Sequence, residues 1–430
     1  MYKKYNTLSQ SNMFARRWWR TTVGAILLGL SICALLASHA FLLSSHASLQ
    51  PVPSPTGVSE PGSAYLYYVL KMPTGFVLAR ARKGQNAQPI DTPQQVASFG
   101  NGFGLTTADS VLSLQLAPNG HYLAIDGTRG DGELLWMFDT RTLSLNLEPA
   151  HVSGTFLRWL PGPHAAFLYR PMFPLGTEAL EGQASWNPGL WIVDAATSTH
   201  TNLDLHMSSA FLVDAAASSD GKQLVYSTST GLGAGSDIWS MNSQGGNQVR
   251  LLSLPDGVQN VAGQFTWSPD GQRIAYERLA DSPTPFLAAG LWTMNSRGGN
   301  QHYLTQTDGG HGFALSWSPN SKELAFVART NLNQSLADQH TQSLQSAVET
   351  VNVSNGRVKL IAGVAQTGKQ INASPVWSAD SSQITFAAYN PLNPVVGGSP
   401  RYWSASINAG PTQPALVPLS PQLTQVVALG

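Results

Sequence analysis

Cysteine is almost absent: Cys33 is the only one in 430 residues. No disulfide can form within the chain, so packing and topological closure must supply its stability. A cysteine-built zinc site is excluded for the same reason. Charge is scarce too. Asp, Glu, Lys and Arg make up 11 % of the chain, against about 25 % in average soluble domains. The 24 basic residues balance the 24 acidic ones, so nothing in the charge implies a nucleic-acid partner or an anionic membrane surface. Ser, Thr, Asn and Gln cover the surface instead, and no acidic residue precedes Glu60. Signatures of chemistry are missing as well. There is no G-x-S-x-G elbow, no H-E-x-x-H, and no P-loop or G-x-G-x-x-G opening a helix after a strand. The ten histidines are scattered. Asp256-Gly257 and Asp308-Gly309 read as turn residues, because a calcium loop needs several alternating oxygen ligands. Arg129-Gly130-Asp131 spells an adhesion tripeptide, which a Gly-rich turn produces by chance. No catalytic, cofactor-binding or metal-binding residue is therefore assigned, and no cofactor is expected.

What is present is a repeat. FTWSPDGQRIAYE at residues 265–277 reads as a strand, a tight turn and a second strand. Pro269 presets the turn's first central φ, Asp270 follows, and Gly271 accepts the left-handed conformation that closes the hairpin. Ile274 and Tyr276 alternate with Ala275 on a period of two. LWTMNSRGGNQHYLT at residues 291–305 is another hairpin, turning at Gly298-Gly299. Four antiparallel strands in about forty residues is the size of one propeller blade. The first hairpin recurs at residues 114–126, 215–227, 315–327 and 375–387, and in degraded form at 157–169. The second recurs at 134–148, 190–205, 238–253, 348–362 and 402–417. Trp159, Trp267, Trp317 and Trp377 share one repeat position, and Trp136, Trp191, Trp239, Trp292 and Trp403 share another. Nine of twelve tryptophans on two positions is periodicity, not chance.

The WSPDG-x-x-I-A-Y and LWTMN-x-x-GG hairpins resemble the TolB-type, WD-like β-propeller repeat. The resemblance runs from about Ala64 to the C-terminus and implies an all-β propeller of four-stranded antiparallel blades. It also implies protein–protein contact in the cell envelope. The amino-terminal domain that accompanies the propeller in TolB itself has no counterpart here, which counts against a Tol-system role.

Ahead of the repeats, residues 1–21 carry Lys3, Lys4, Arg16, Arg17 and Arg20 and are expected to be cytoplasmic. Within 22–43, residues 23–43 run 21 positions without a charge, long enough for the ~20 that a membrane-spanning helix needs. The basic flank places everything after it outside. Ser38-His39-Ala40 has small residues at signal-cleavage offsets, so a secreted form is the alternative; the apolar run continues past that site, which favours an anchor. Bulky Ile32 disfavours a lipoprotein reading of Cys33, leaving a small apolar residue in a membrane segment. Residues 44–63 contain Pro51, Pro53, Pro55 and Pro61 and read as an extended spacer. The propeller domain is residues 64–430.

Residues 65–71 resemble a second strand and 76–90 a second hairpin, with no first strand before them. LTQVVAL at 423–429 is a lone apolar strand at the far end. Joining the two ends into one composite blade gives seven blades; six with a decorated edge is the alternative. Antiparallel order puts the one–two and three–four turns on one face and the two–three loops and blade connections on the other. The second set is long: 171–189, 278–290, 328–346 and 389–400. Long loops on a rigid scaffold are where binding sits. Phe173, Trp186, Phe286 and Tyr389 lie there, outside the repeat positions, and are the candidate partner-binding anchors. The function expected is a membrane-tethered extracytoplasmic module for a protein partner in the envelope or at the cell surface. The alternative is a propeller hydrolase or lyase at the channel mouth, around Asp109, Thr155, Asp214, Gln264 and His311. Two acids in so mixed a set make a poor metal or acid–base cluster.

Overall fold

The computed structural model describes residues 65–428, apart from 73–74, 83–90, 92–93, 100–109, 130–131, 148, 151–153, 172–188, 206–209, 231–233, 258–259, 280–287, 309–314, 332–344, 391–400, 409–415 and 419–425. The 22–43 segment and the spacer lie outside the described residues. So do Phe173, Trp186 and Phe286.

The strands assemble into seven four-stranded antiparallel sheets, the blades of a propeller. Six blades each use four consecutive strands. Blade 2 is Ser110–Leu116, Tyr122–Arg129, Gly132–Asp139 and Ser144–Leu147. Blade 3, the degraded repeat, is Gly154–Trp159, Ala166–Pro171, Leu190–Asp194 and His200–Leu203. Blade 4 is Phe211–Ala217, Gln223–Ser229, Ser236–Asn242 and Val249–Ser253. Blade 5 is Val261–Trp267, Arg273–Leu279, Ala289–Asn295 and His302–Thr307. Blade 6 is Ser316–Trp317, Glu323–Arg329, Ser346–Asn352 and Val358–Ala362, and blade 7 is Ile371–Trp377, Gln383–Tyr389, Arg401–Ser406 and Leu416–Pro418. Blade 1 is composite: Tyr65–Met72, Gly75–Arg82 and Gln94–Phe99 are completed by Val426–Ala428 from the other end of the chain. Ala428 pairs with Tyr67 and Val426 with Tyr68, so the closing strand takes the innermost place.

The closing strand is described over Val426–Ala428, with a register shift between Tyr67 and Tyr68; residues 423–425 and 429 of the expected strand lie outside the described residues. One detail differs from the expectation. The last strand of blade 1 is Gln94–Phe99, beyond the 76–90 hairpin. Arg82 explains the shift: its backbone N–H (2.7 Å) and its Nε (2.9 Å) both donate to Asp91. That closes a longer loop and brings Phe99 onto Phe76, with the rings stacked at 5.3 Å. A four-residue helix, Val364–Thr367, also sits in the connection from blade 6 to blade 7.

The turn chemistry explains why the repeat folds as it does. In blade 5 the Ser268 hydroxyl donates to Asp270 and accepts from the Arg273 N–H, while Asp270 accepts from the Gln272 N–H. Ser218–Asp220, Ser318–Asn320 and Ser378–Asp380 rebuild the same turn in blades 4, 6 and 7. Its fourth residue is left-handed: Gly271 has φ 69° and Gly221 φ 70°, but Ser321 and Ser381 adopt 59° without the glycine. The side-chain bonds hold that conformation where glycine's freedom is absent.

The core is a succession of layers, each between two adjacent blades. One position recurs in strand two: Tyr67, Tyr169, Tyr226, Tyr276, Phe326 and Phe386 are fully buried in blades 1 and 3 to 7. Burying a ring of this kind contributes roughly 1.5–3 kcal/mol. The strand-one tryptophans add polar ties between blades. Trp159 Nε1 donates to the Gln115 carbonyl (2.9 Å), Trp317 to Thr266 (3.2 Å) and Trp377 to Ser316 (3.0 Å), each reaching the inner strand of the preceding blade. Trp267 occupies the same place with no acceptor for its N–H.

Candidate functional site: the axial strands and the long-loop face

Antiparallel order gives the propeller two unlike faces. On one, the strand one–two turns lock to each other. Asn119 Nδ2 donates to the Pro163 carbonyl at 3.0 Å, joining blades 2 and 3. The Asp270 N–H donates to Ser321 Oγ at 3.0 Å, joining blades 5 and 6. Gly221 lies against Pro161 and Gly271 against Ser219, so the collar continues through blades 3, 4 and 5. On the other face, the connections between strands two and three of blades 3, 5, 6 and 7 begin and end; residues 172–188, 280–287, 332–344 and 391–400 are outside the described set. Tyr389 closes strand two of blade 7 opposite Ile371.

Strand one of every blade has its free edge toward the axis, and its ladder with strand two is irregular in most blades. Register shifts fall at Val111/Ser113, Phe156/Arg158, Leu212/Asp214, Gly263/Thr266 and Ala373/Val376 in blades 2, 3, 4, 5 and 7. Such bulges free backbone groups and re-aim side chains. In blades 5 and 7 two residues are displaced, and Gln264 and Ser374 take φ 55°, strained for residues with a Cβ. The freed groups of Phe265 are then recruited: its N–H donates to Asp214 Oδ2 at 2.8 Å and its carbonyl accepts from Arg158 Nη1 at 2.5 Å. Arg158 Nη2 reaches both Asp214 oxygens, at 2.9 and 2.8 Å. A charge-assisted network thus ties the inner strands of blades 3, 4 and 5. The corresponding residue in blade 7 is Pro375, which has no N–H to satisfy.

Arg170, in strand two of blade 3, stands beside this network. Its Nη1 lies 3.4 Å from the Leu212 and Val213 carbonyls of blade 4, and its Nη2 donates to Thr155 Oγ1 at 3.1 Å. Val213 is the residue that the blade 4 bulge displaces.

A second polar cluster is buried between blades 5 and 6. Arg329 Nε donates to Asp308 Oδ1 (3.0 Å) and Nη2 to the Asp308 carbonyl (3.0 Å), with both side chains essentially solvent-free. Asp308 is therefore a buried ion-pair partner; Gly309, the second residue of the turn expected from the sequence, lies outside the described residues. Glu277 is buried nearby, and desolvation pushes its carboxyl up to about 7; the Thr307 hydroxyl opposes that shift and the Asp308 charge adds to it.

Of the sequence candidates, the structure brings Thr155, Asp214 and Gln264 to the axial strands; Asp109 and His311 are outside the described residues. Arg158, Arg170, Glu277 and the Asp308–Arg329 pair were missed. Arg158 had a visible signal: the residue before the strand-one tryptophan or its equivalent is uncharged elsewhere, as in Gln115, Thr266, Ser316 and Val376. Among the described residues, no three His, Cys, Asp or Glu side chains converge as metal ligands would.

No protein-family model and no curated protein matches this chain. Among solved structures it is similar to a prolyl endopeptidase at 13 % identity and a TM-score of 0.54, covering 97 % of this chain and 56 % of that one. It is similar to an oligogalacturonate lyase in complex with manganese at 15 % identity and 0.51, covering 81 % and 87 %. It is also similar to TolB from Acinetobacter baumannii at 17 % identity and 0.42, and spans 64 % of that chain while 70 % of this one is covered. At such identities the likeness bears on fold alone, and that fold is the β-propeller.

Proposed function

We propose that this chain is a membrane-tethered, extracytoplasmic β-propeller that binds a protein partner of the cell envelope through its long-loop face. The observation that carries the reading is the asymmetry of the two faces. One is consumed in joining blade to blade through its own turns. The other launches four long connections from a rigid rim, the arrangement in which loops carry recognition. Phe173, Trp186, Phe286 and Tyr389 are the anchors, since interface hot spots favour aromatic side chains in desolvated pockets. The apolar run at 23–43 and its basic flank support the tether.

Two of the similar structures are enzymes by name, which invites a catalytic reading at the axis. Asp214 argues against it: both its oxygens are held by Arg158 and one also by the Phe265 N–H. A carboxylate so engaged is poorly placed to move a proton.

The test is twofold. Intact cells treated with protease should lose the propeller while the protein stays with the membrane fraction; a soluble cytoplasmic protein would sink the topology. In affinity capture, Trp186→Ala or Phe173→Ala should cost ~2 kcal/mol or more in partner affinity with little change in melting temperature. Loss of stability with unchanged affinity of the folded fraction would make these residues structural.

A further inference from the structure

We propose that Arg170 and Thr155, where strand two of blade 3 meets strand one of blade 4, form a carboxylate-recognition site that receives an acidic residue of the partner. The inference rests on the binding function just proposed and names the chemistry of one contact.

Charge placement comes first. The seven inner strands contain only two charged residues, Arg158 and Asp214, and these neutralise each other at 2.8 Å. Arg170 adds a cation against that neutral background. Among the described residues no carboxylate lies within ion-pair distance of it. Its contacts are all neutral oxygens, two of them at 3.4 Å, the long end of hydrogen-bonding distance. A guanidinium offers five donors in a planar fork that suits a carboxylate, and this one is only partly buried.

The repeat then shows what a purely structural residue needs here. Ser227 holds the same place in blade 4, following the buried strand-two tyrosine, and its hydroxyl donates to the Ala262 carbonyl of the next blade at 2.6 Å. A hydroxyl is enough to bridge blade to inner strand. Blade 3 carries out the same bridging with a full positive charge and long contacts, which leaves donor capacity over. Position supplies the last element. Arg170 is the penultimate residue of strand two and Thr155 the second of strand one, so both sit at the rim where the long-loop connections begin.

The full-length chain in detergent is titrated with a fluorescently labelled Glu-Glu-Glu peptide and with its Gln-Gln-Gln counterpart, citrate serving as competitor. The glutamate peptide should bind, citrate should displace it, and affinity should fall as salt rises. Arg170→Gln should weaken binding about tenfold or more, the scale of a charged hydrogen-bond pair. Arg250→Gln, which removes a half-exposed arginine on the outer edge of blade 4, should leave binding unchanged. Arg170→Lys and Thr155→Val should each weaken binding by less, and they carry the test if Arg170→Gln fails to fold. Equal binding of the two peptides, or binding that survives loss of Arg170, overturns the site. Citrate binding without peptide binding also overturns the proposal as stated, because the occupant is then a free carboxylate. If the partner is captured equally by wild type and Arg170→Gln, the binding function stands and this contact fails.

Discussion

Replacing Glu277 with Gln should remove a block of pH dependence from the stability of the whole domain. The carboxyl is 4 % exposed, and its folded-state value is about 7 against 4.5 for the free group. Burial is the main cause, and the neighbouring Asp308 charge adds to it. A carboxyl whose folded value is raised binds its proton more tightly in the native state than in the unfolded chain. Its contribution is therefore fully present below the unfolded value, falls between about pH 4.5 and 7, and is level above that. At ~1.4 kcal/mol per unit, the wild type loses about 3 kcal/mol across this window through Glu277 alone. The physical picture is two neighbouring carboxylates: once Glu277 ionises it meets the Asp308 charge without an ion-pair partner of its own among the described residues, Arg329 being committed to Asp308. Gln keeps the shape and removes the titration. Urea unfolding of both proteins from pH 4.5 to 8.5 is the assay, read as the difference between them. The difference matters because Asp380, Asp220 and Asp139 all have values lowered by their hydrogen bonds and act in the opposite sense at low pH. The variant should gain on the wild type steadily up to about pH 7 and then hold a constant margin. A margin that does not change with pH would refute the reasoning, and would mean that Glu277 is solvated in the native state.

Trp317→Phe removes an N–H that donates to Thr266, whereas Trp267→Phe removes one with no acceptor; denaturant melts should show the first costing about 1 kcal/mol more than the second. Arg329→Met should destabilise by about 3–5 kcal/mol, since it leaves Asp308 buried without its counter-charge; calorimetry checks this, and a neutral result would mean that Asp308 finds water. Deleting residues 423–430 removes the strand that pairs with Tyr67 and Tyr68. With a few ladder bonds worth ~1 kcal/mol each and the ring opened, the entire domain should melt earlier in one transition. An unchanged melting temperature would make the closing strand incidental.

What could be read from sequence follows the range of the interactions. The blade hairpins were legible because their determinants are local: Ser268, Asp270 and Arg273 bond within five residues. The strand-one tryptophans were legible as a period, though their role as ties to the preceding blade was not. Closure by the C-terminal strand could be inferred from a missing first strand, since an incomplete blade demands a partner. The end of blade 1 was misplaced because its loop is fixed by Arg82 and Asp91, a pair that no repeat copy shares. The axial network lay beyond sequence reasoning for a plain reason. Arg158, Asp214 and Phe265 are separated by 56, 51 and 107 positions, and only the ring geometry and its bulges bring them together.

That contrast bears on where function sits. A repeat that closes on itself makes the same demands at equivalent positions, so residues that merely satisfy the fold should be interchangeable between blades. At the strand-two position after the buried aromatic, Ser227, Val327 and Ala387 meet those demands with small or apolar side chains. Arg170 and Glu277 do not. Each introduces a charge where blades 4, 6 and 7 carry none, as Asp126 does at the equivalent position of blade 2, and each lies in the half of strand two nearer the long connections. A charge partly or wholly desolvated has a cost that an alanine at the same place avoids. Local choices that conflict with the repeat concentrate at working sites rather than in the scaffold. By that criterion the charged strand-two residues of blades 2, 3 and 5 are what the repeat alone does not account for, whereas the collar of turns on the opposite face recurs from blade to blade.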